Sequence, residues 1–398
     1  MNNKKGYILT GGTIVTPFKL VKNQNILIED SKIKRIYSNS IQISNFNDYE
    51  LIKISNDCYI TPGFIDIHTH GGLGEDCLGG DIKKISKFKL SQGITGYAPT
   101  LIASPLENIF NSFDTINDFI KREKKEIYPE ILGVHIEGIY LDKKYRGAQS
   151  LEYLRIPNKK ECKDIIEKSD GLLRIMTLAP EIENCLEAID ILSSYGIVSS
   201  VGHSNAGIEI MDEAIKRGLT HVTHAFNAMG EMGFSELGVR SPGLEGYILV
   251  RDELKLELIG EITHVNPIIM ELIYRAKGAD KIILVTDSMS ISGMPSGKYK
   301  IGVMTLKLEE NKDVARLEDG GLAGSVIPIN KAIKTFFENT RATINEAVQM
   351  ASYNPADSLG VANRKGSIET GKDADITILD SNFNVKKVFI AGKLAYEN

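Results

Sequence analysis

Short apolar runs recur through the middle of the chain, separated by stretches in which apolar residues return every three or four positions. The runs are Ile65 to His70, Thr95 to Leu101, Ile131 to Glu137, Leu172 to Leu178, Ile197 to His203, Leu219 to His224, Leu256 to His264 and Ile282 to Asp287. Helical spacing marks Pro105 to Lys124, Ile182 to Ser194 and Pro267 to Lys277 between them. Strands alternating with helices in this number predict an α/β chain built as a (β/α)8 TIM-like barrel, although a doubly wound sheet would also alternate. The two ends differ. TIVTP, NILIEDSKIKRIYS and ELIKIS near the start, and DADITILD and NVKKVFIAGKLAYE near the end, read as strands without helices. They predict one small β-sandwich domain made by both termini, residues 1–60 with 361–398, around a barrel over 61–360.

Length and composition fit this picture: 398 residues are enough for a large α/β domain with a small companion. A net charge of −5 and a pI near 5.9 argue against a binder of nucleic-acid backbone, which needs a basic excess, and leave room for a local basic pocket. Four cysteines without a CxxC pair predict free thiols and a cytoplasmic protein. The first twenty residues read as a strand broken by Gly11 and Gly12, and no run is long enough to span a bilayer, so no membrane partner is expected. KREKKE, Lys121 to Glu126, reads as a solvated helix end.

Chemistry concentrates at the strand ends. Pro62 to Gly72, PGFIDIHTHGG, delivers His68 and His70 two apart, so at strand period both imidazoles leave one face. The other runs end in Glu137, His203, His224, His264 and Asp287. A barrel gathers such ends at one mouth. Imidazoles and carboxylates are donors for a divalent ion, and an open position on that ion lowers the pKa of water to about 7. Asp287 is then placed to move a proton, and metal-assisted hydrolysis is the expected reaction.

Each residue also has a plainer role to consider. Glu137 suits a salt bridge at a strand end, His203 a position beside a helix capped by Ser204 or Asn205, and Asp287 a helix N-cap. His135 sits two before Glu137 and is read as a packing or positioning residue rather than a ligand. His221 and His224 are three apart and face opposite ways, so His224 is assigned to the barrel mouth and His221 to structure.

The segments PGFIDIHTHG, GVHIEG followed by RGAQ, GHSNA, THAFNAM, His264 before Pro267, VTDSM and LAGS occur in that order. Together they resemble the N-acetylglucosamine-6-phosphate deacetylases of the amidohydrolase superfamily. The resemblance implies metal ligands at Glu137, His203 and His224, a general acid/base at Asp287, and a substrate-polarising histidine at His264. His68 and His70 are intact, which implies room for a second ion bridged by Glu137. Zn is the first expectation for one or two divalent ions, with Fe, Mn or Co as alternatives. Substrate contacts carry over to Ala148, Gln149, Asn227, Ala228, Arg240, Leu322, Ala323 and Gly324. Arg240 would come from the neighbouring subunit of a homodimer.

The implied reaction removes the acetyl group from N-acetylglucosamine 6-phosphate, a small amino sugar phosphate. Departures from the family pattern at Ile139-Tyr140, at Ile262-Thr263 and in the long segment before Arg240 bear on the sugar. An N-acetylgalactosamine 6-phosphate or another N-acyl substrate is therefore the near alternative, and a non-catalytic barrel with a binding role the remote one.

Overall fold

The computed structural model describes residues 4–40, 48–122, 127–301 and 304–398. Eight parallel strands form the centre: Phe64–Thr69, Ile94–Ile102, Val134–Glu137, Leu173–Leu178, Val198–Val201, Leu219–Val222, Lys255–Ile259 and Ile282–Val285. Each pairs with the next in sequence order, from the first through to the eighth. The first and eighth meet at their C-terminal ends, where Asp287 N donates to His68 O at 2.9 Å and His70 N to Ser288 O at 2.9 Å. The barrel therefore closes beside the residues that the sequence marks for chemistry.

Why these runs become strands is visible in their burial. Every residue of Phe64–Thr69 is buried, as expected where a strand faces packed side chains on one side and helices on the other. Helices follow the strands at Ile82–Ser91, Leu106–Arg122, Lys159–Lys168, Cys185–Ser194, Ile208–Lys216, Gly243–Leu249, Pro267–Lys277 and Ile329–Asn339. Several start on side-chain caps: Asp81 accepts from the amides of Lys83 and Lys84, and Asn158 from that of Glu161. Pro267–Lys277 begins on Asn266 with proline at its first position and ends at Gly278. Three sequence expectations shift. The third run splits into Glu130–Ile131 and Val134–Glu137, the seventh stops at Ile259, and the fourth helix starts at Cys185 rather than Ile182. Lys124 and most of KREKKE lie outside the described residues.

Both termini contribute to one eight-stranded sheet. Its long strand Tyr49–Pro62 pairs in parallel with Gly6–Val15 and antiparallel with Ile376–Leu379, joining the two ends of the chain. The sheet folds over: Ile33 N donates to Lys372 O and Ala374 N to Ser31 O, both at 2.9 Å. Leu9, Ile26, Ile52, Ile60, Ile376 and Phe389 fill the space between its halves. A further four-stranded sheet spans Gly297–Ile301 to Leu322–Ser325, after the eighth barrel strand. Its last strand is tied to the barrel mouth, Ser325 N donating to Asp287 O at 2.9 Å. Cys58, Cys77, Cys162 and Cys185 are free thiols. Among the described residues, no helix is long and apolar enough to cross a membrane.

Candidate metal centre

At the C-terminal mouth, the backbone bends sharply at three of the marked residues. His203, His224 and Asp287 have φ of 50°, 30° and 45°, values that non-glycine residues seldom adopt. Such conformations cost free energy and persist where the surroundings impose them, as at functional sites. The bends turn three strand ends inward. The capping roles do not materialise: the helix after His203 starts at Ile208 behind Gly207, and the segment after Asp287 is turns.

The side chains converge on one carboxylate. Glu137 Oε1 lies 3.0 Å from His203 Nε2 and 2.9 Å from His224 Nε2, and those two nitrogens are 3.1 Å apart. His70 Nε2 lies 3.3 Å from Glu137 Oε2 and 3.1 Å from Asp287 Oδ1. His68 Nε2 is 3.5 Å from both Glu137 Oε1 and Asp287 Oδ1. All six side chains are buried. Three groups emerge: Glu137 with His203 and His224, His68 and His70 with Asp287, and His68 with His135 and Glu257. Glu137 touches the first two.

The outer ring nitrogens orient these imidazoles. His203 Nδ1 donates to Tyr145 O at 2.8 Å, and His70 Nδ1 to Thr100 O at 3.2 Å. With Nδ1 protonated, each Nε2 keeps a lone pair for the centre of the site. Gln149 Nε2 donates to Glu137 Oε2 at 2.6 Å while its Oε1 accepts from Ala103 N, fixing the carboxylate. Gly147 presses on His203: a Cβ there would stand 3.2 Å from the ring, and its φ is 54°.

Electrostatics confirm how crowded the charges are. Burial alone would raise the Glu137 carboxyl, but His68 and hydrogen bonds from His203 and His224 hold it well below the usual range. The same opposition, with His68 and His70 as the cations, lowers Asp287. Burial disfavours charge on His70, yet Asp287 and Glu137 push it up to about 9. The buried Nε2 of His68 and Nδ1 of His224 have no hydrogen-bond partner, and the Nε2 atoms of His203 and His224 crowd onto one carboxylate oxygen. This donor set fits one or two divalent ions in nitrogen and carboxylate coordination.

A cavity of about 360 Å³ opens above these groups. It is lined by His70, Glu137, His203, His224 and Asp287, and by Ala148, Gln149, Asn227, Ala228, Leu322, Ala323 and Gly324. His264 also lines it, from an unexpected place. The seventh strand ends at Ile259, and His264 sits in the turn beyond it. Glu261 makes that turn, accepting from the amides of Thr263 and His264 and from His264 Nδ1 at 2.9 Å. Arg240 is not brought to the cavity of its own chain. It lies on the exposed hairpin Gly233–Glu236 and Val239–Ser241, its guanidinium 4.3 Å from the centre of the Phe234 ring.

Several residues escaped the sequence reading. Lys144 and Tyr145 line the cavity beside Gly147. Glu257, on the seventh strand, is wholly buried with its Oε2 2.8 Å from His68 Nδ1. A charge between Leu256 and Leu258 in an apolar strand was the available signal. His135 uses both nitrogens, Nδ1 donating to Ile67 O and Nε2 accepting from Thr177 Oγ1, so it packs and positions as expected. His221 faces away, bonded to Thr220 and Ser358.

The model of the Amidohydrolase family matches residues 59–395. The N-acetylglucosamine-6-phosphate deacetylase of Bacillus subtilis is 32% identical over 387 residues, covering 96% of this chain and 95% of the relative. An N-acetylgalactosamine-6-phosphate deacetylase of Escherichia coli O157:H7 is 31% identical over 392 residues, covering 98% and 99%. The crystal structure of N-acetylglucosamine-6-phosphate deacetylase from Thermotoga maritima superposes with a TM-score of 0.86 at 31% identity, covering 98% of this chain and 100% of that one.

Proposed function

Because the chain belongs to the amidohydrolase family, we propose that its buried cluster hydrolyses the acetamide of N-acetylglucosamine 6-phosphate, giving glucosamine 6-phosphate and acetate. The observation that carries the reading is the convergence of His203 and His224 on Glu137 Oε1, with His70 and Asp287 beside it, at the floor of a sugar-sized cavity. Glu137, His203 and His224 would hold one divalent ion, and His68 and His70, with Glu137 between, a second. We take Zn as the first candidate, with Fe, Mn and Co as alternatives. Such an ion supplies a Lewis acid that polarises the carbonyl and acidifies water.

The residues then divide the work. Asp287, 3.1 Å from His70 Nε2 at the edge of the cluster, would accept a proton from the attacking water and return it to the departing amine. His264, held at the cavity through Nδ1 by Glu261, would stabilise the charge that develops on the carbonyl oxygen when both ring nitrogens carry a proton, its Nε2–H donating to that oxygen. Ala148, Gln149, Asn227, Ala228 and the Leu322-Ala323-Gly324 strand shape the sugar pocket. Lys144 is exposed at the cavity and adds positive charge for a phosphate. We further propose a homodimer in which Arg240 of the partner subunit clamps that phosphate with its planar donors. Residues 61–360 are the catalytic unit and 1–60 with 361–398 the companion, and free thiols suit the cytoplasm.

Amine release from N-acetylglucosamine 6-phosphate, its galacto epimer and the unphosphorylated sugar tests the reading. Fast turnover of the gluco phosphosugar is expected, with Arg240→Ala raising KM at least about tenfold, as for loss of a charge-assisted contact. Preference for the galacto epimer would move the assignment to that sugar, and an inert set would remove it.

A further inference from the structure

Glu257 is a full carboxylate sealed inside the barrel, and neither hydrolysis nor substrate binding as described above uses it. It projects from the seventh strand, Lys255–Ile259, with 0% exposure, and its Oε2 stands 2.8 Å from His68 Nδ1. Its Oε1 has no partner among the described residues. Burying a carboxylate costs heavily unless it is paired, so the pairing with His68 must hold it in place. The other oriented imidazoles of the cluster rest on backbone carbonyls, Thr100 O for His70 and Tyr145 O for His203. His68 alone among these three rests on a carboxylate.

This difference has a chemical meaning. A carboxylate accepting the Nδ1–H fixes the tautomer, so that Nε2 carries the lone pair, and it strengthens that nitrogen as a donor. His68 Nε2 is the atom left without a hydrogen-bond partner, 3.5 Å from both Glu137 Oε1 and Asp287 Oδ1. We infer that Glu257 is a positioning residue for a second divalent ion, acting through His68, so that occupancy of the His68–His70–Asp287 group depends on a carboxylate two strands away round the closed barrel. Gln149 serves the other group in the same way by holding Glu137. The inference rests on the reading of His68 and His70 as ligands.

Metal counting tests it without recourse to activity. Stripped wild-type protein, Glu257→Gln and Glu257→Leu are titrated with buffered Zn²⁺, and bound Zn per chain is measured by mass spectrometry. Wild type should fill two sites. In Glu257→Leu the first site should fill as in wild type, which also shows that the barrel is formed, while the second weakens at least about 10- to 100-fold. Glu257→Gln, whose amide oxygen still accepts from Nδ1, should weaken the second site less, by about tenfold. If Glu257→Leu does not fold, Glu257→Gln decides. Second-site affinity equal to wild type in the folded variants overturns the inference alone. A wild type that takes a single ion overturns the two-ion reading and the inference with it.

Discussion

Asp287 carries the proposed proton transfer, and its geometry makes the expectation specific. It lies 3.1 Å from His70 Nε2, its backbone is bent to φ 45°, and its carbonyl is pinned by Ser325 N. Asp287→Asn keeps this shape but cannot take up a proton, so kcat should fall about 10²- to 10⁴-fold. Zn bound at Glu137, His203 and His224 should remain, and steady-state kinetics beside metal analysis checks both. At this scale much of the site was legible. His68, His70, Glu137, His203, His224 and Asp287 stand out because charged and ligating side chains end apolar runs. Glu257 obeys the same rule but stands inside its run, where a search confined to strand ends passes over it. Arg240 had no local signal, since its hairpin is exposed and lies away from the cavity of its own chain.

Element boundaries explain the main displacement. The seventh run was read as one strand through His264, because Leu256 to Ile259 and His264 are joined by residues of mixed polarity. Gly260 ends the strand for a packing reason: a Cβ there would stand 2.6 Å from Ala332 Cβ and 3.0 Å from Ala332 Cα. Glu261 then captures two amides and turns the chain. That close approach between strand and helix cannot be read from one segment. Gly to Ala at a compatible backbone position stabilises by about 0.4–1 kcal/mol through the unfolded chain. Here overpacking against Ile329–Asn339 should reverse the sign, and Gly260→Ala should destabilise by about 1–3 kcal/mol. Urea denaturation measures the difference, and a neutral or stabilising result would show that the helix yields freely.

For the whole molecule, eight strands alternating with helices favoured the barrel over a doubly wound sheet without excluding the latter, and the strand-only ends placed the sheet that ties Gly6–Val15 to Ile376–Leu379 through Tyr49–Pro62. The added four-stranded sheet at the mouth was not foreseen beyond its LAGS segment, since short exposed hairpins leave a weak periodic pattern. Stability of the assembled fold should depend on pH through His221. Burial first, and Lys255 beside it, lower its pKa from 6.5 to about 3. The unfolded chain takes up the proton near 6.5 while the folded chain refuses it until about 3. Stability is therefore complete above 6.5 and falls with decreasing pH across that window, by about 1.4 kcal/mol per unit for one proton. His221→Gln should flatten this slope by about one proton, read from denaturation midpoints across the window.

Metal-dependent deacetylation is tested most directly by removing and restoring the ion. Protein stripped of metal by a chelator and then reloaded with Zn²⁺ is given N-acetylglucosamine 6-phosphate, and free amine and acetate are followed together. Equal release of both products by the reloaded protein, with none from the stripped protein, is the predicted result. Release that is unchanged by stripping, or the absence of both products from a protein carrying Zn at Glu137, His203 and His224, would contradict it.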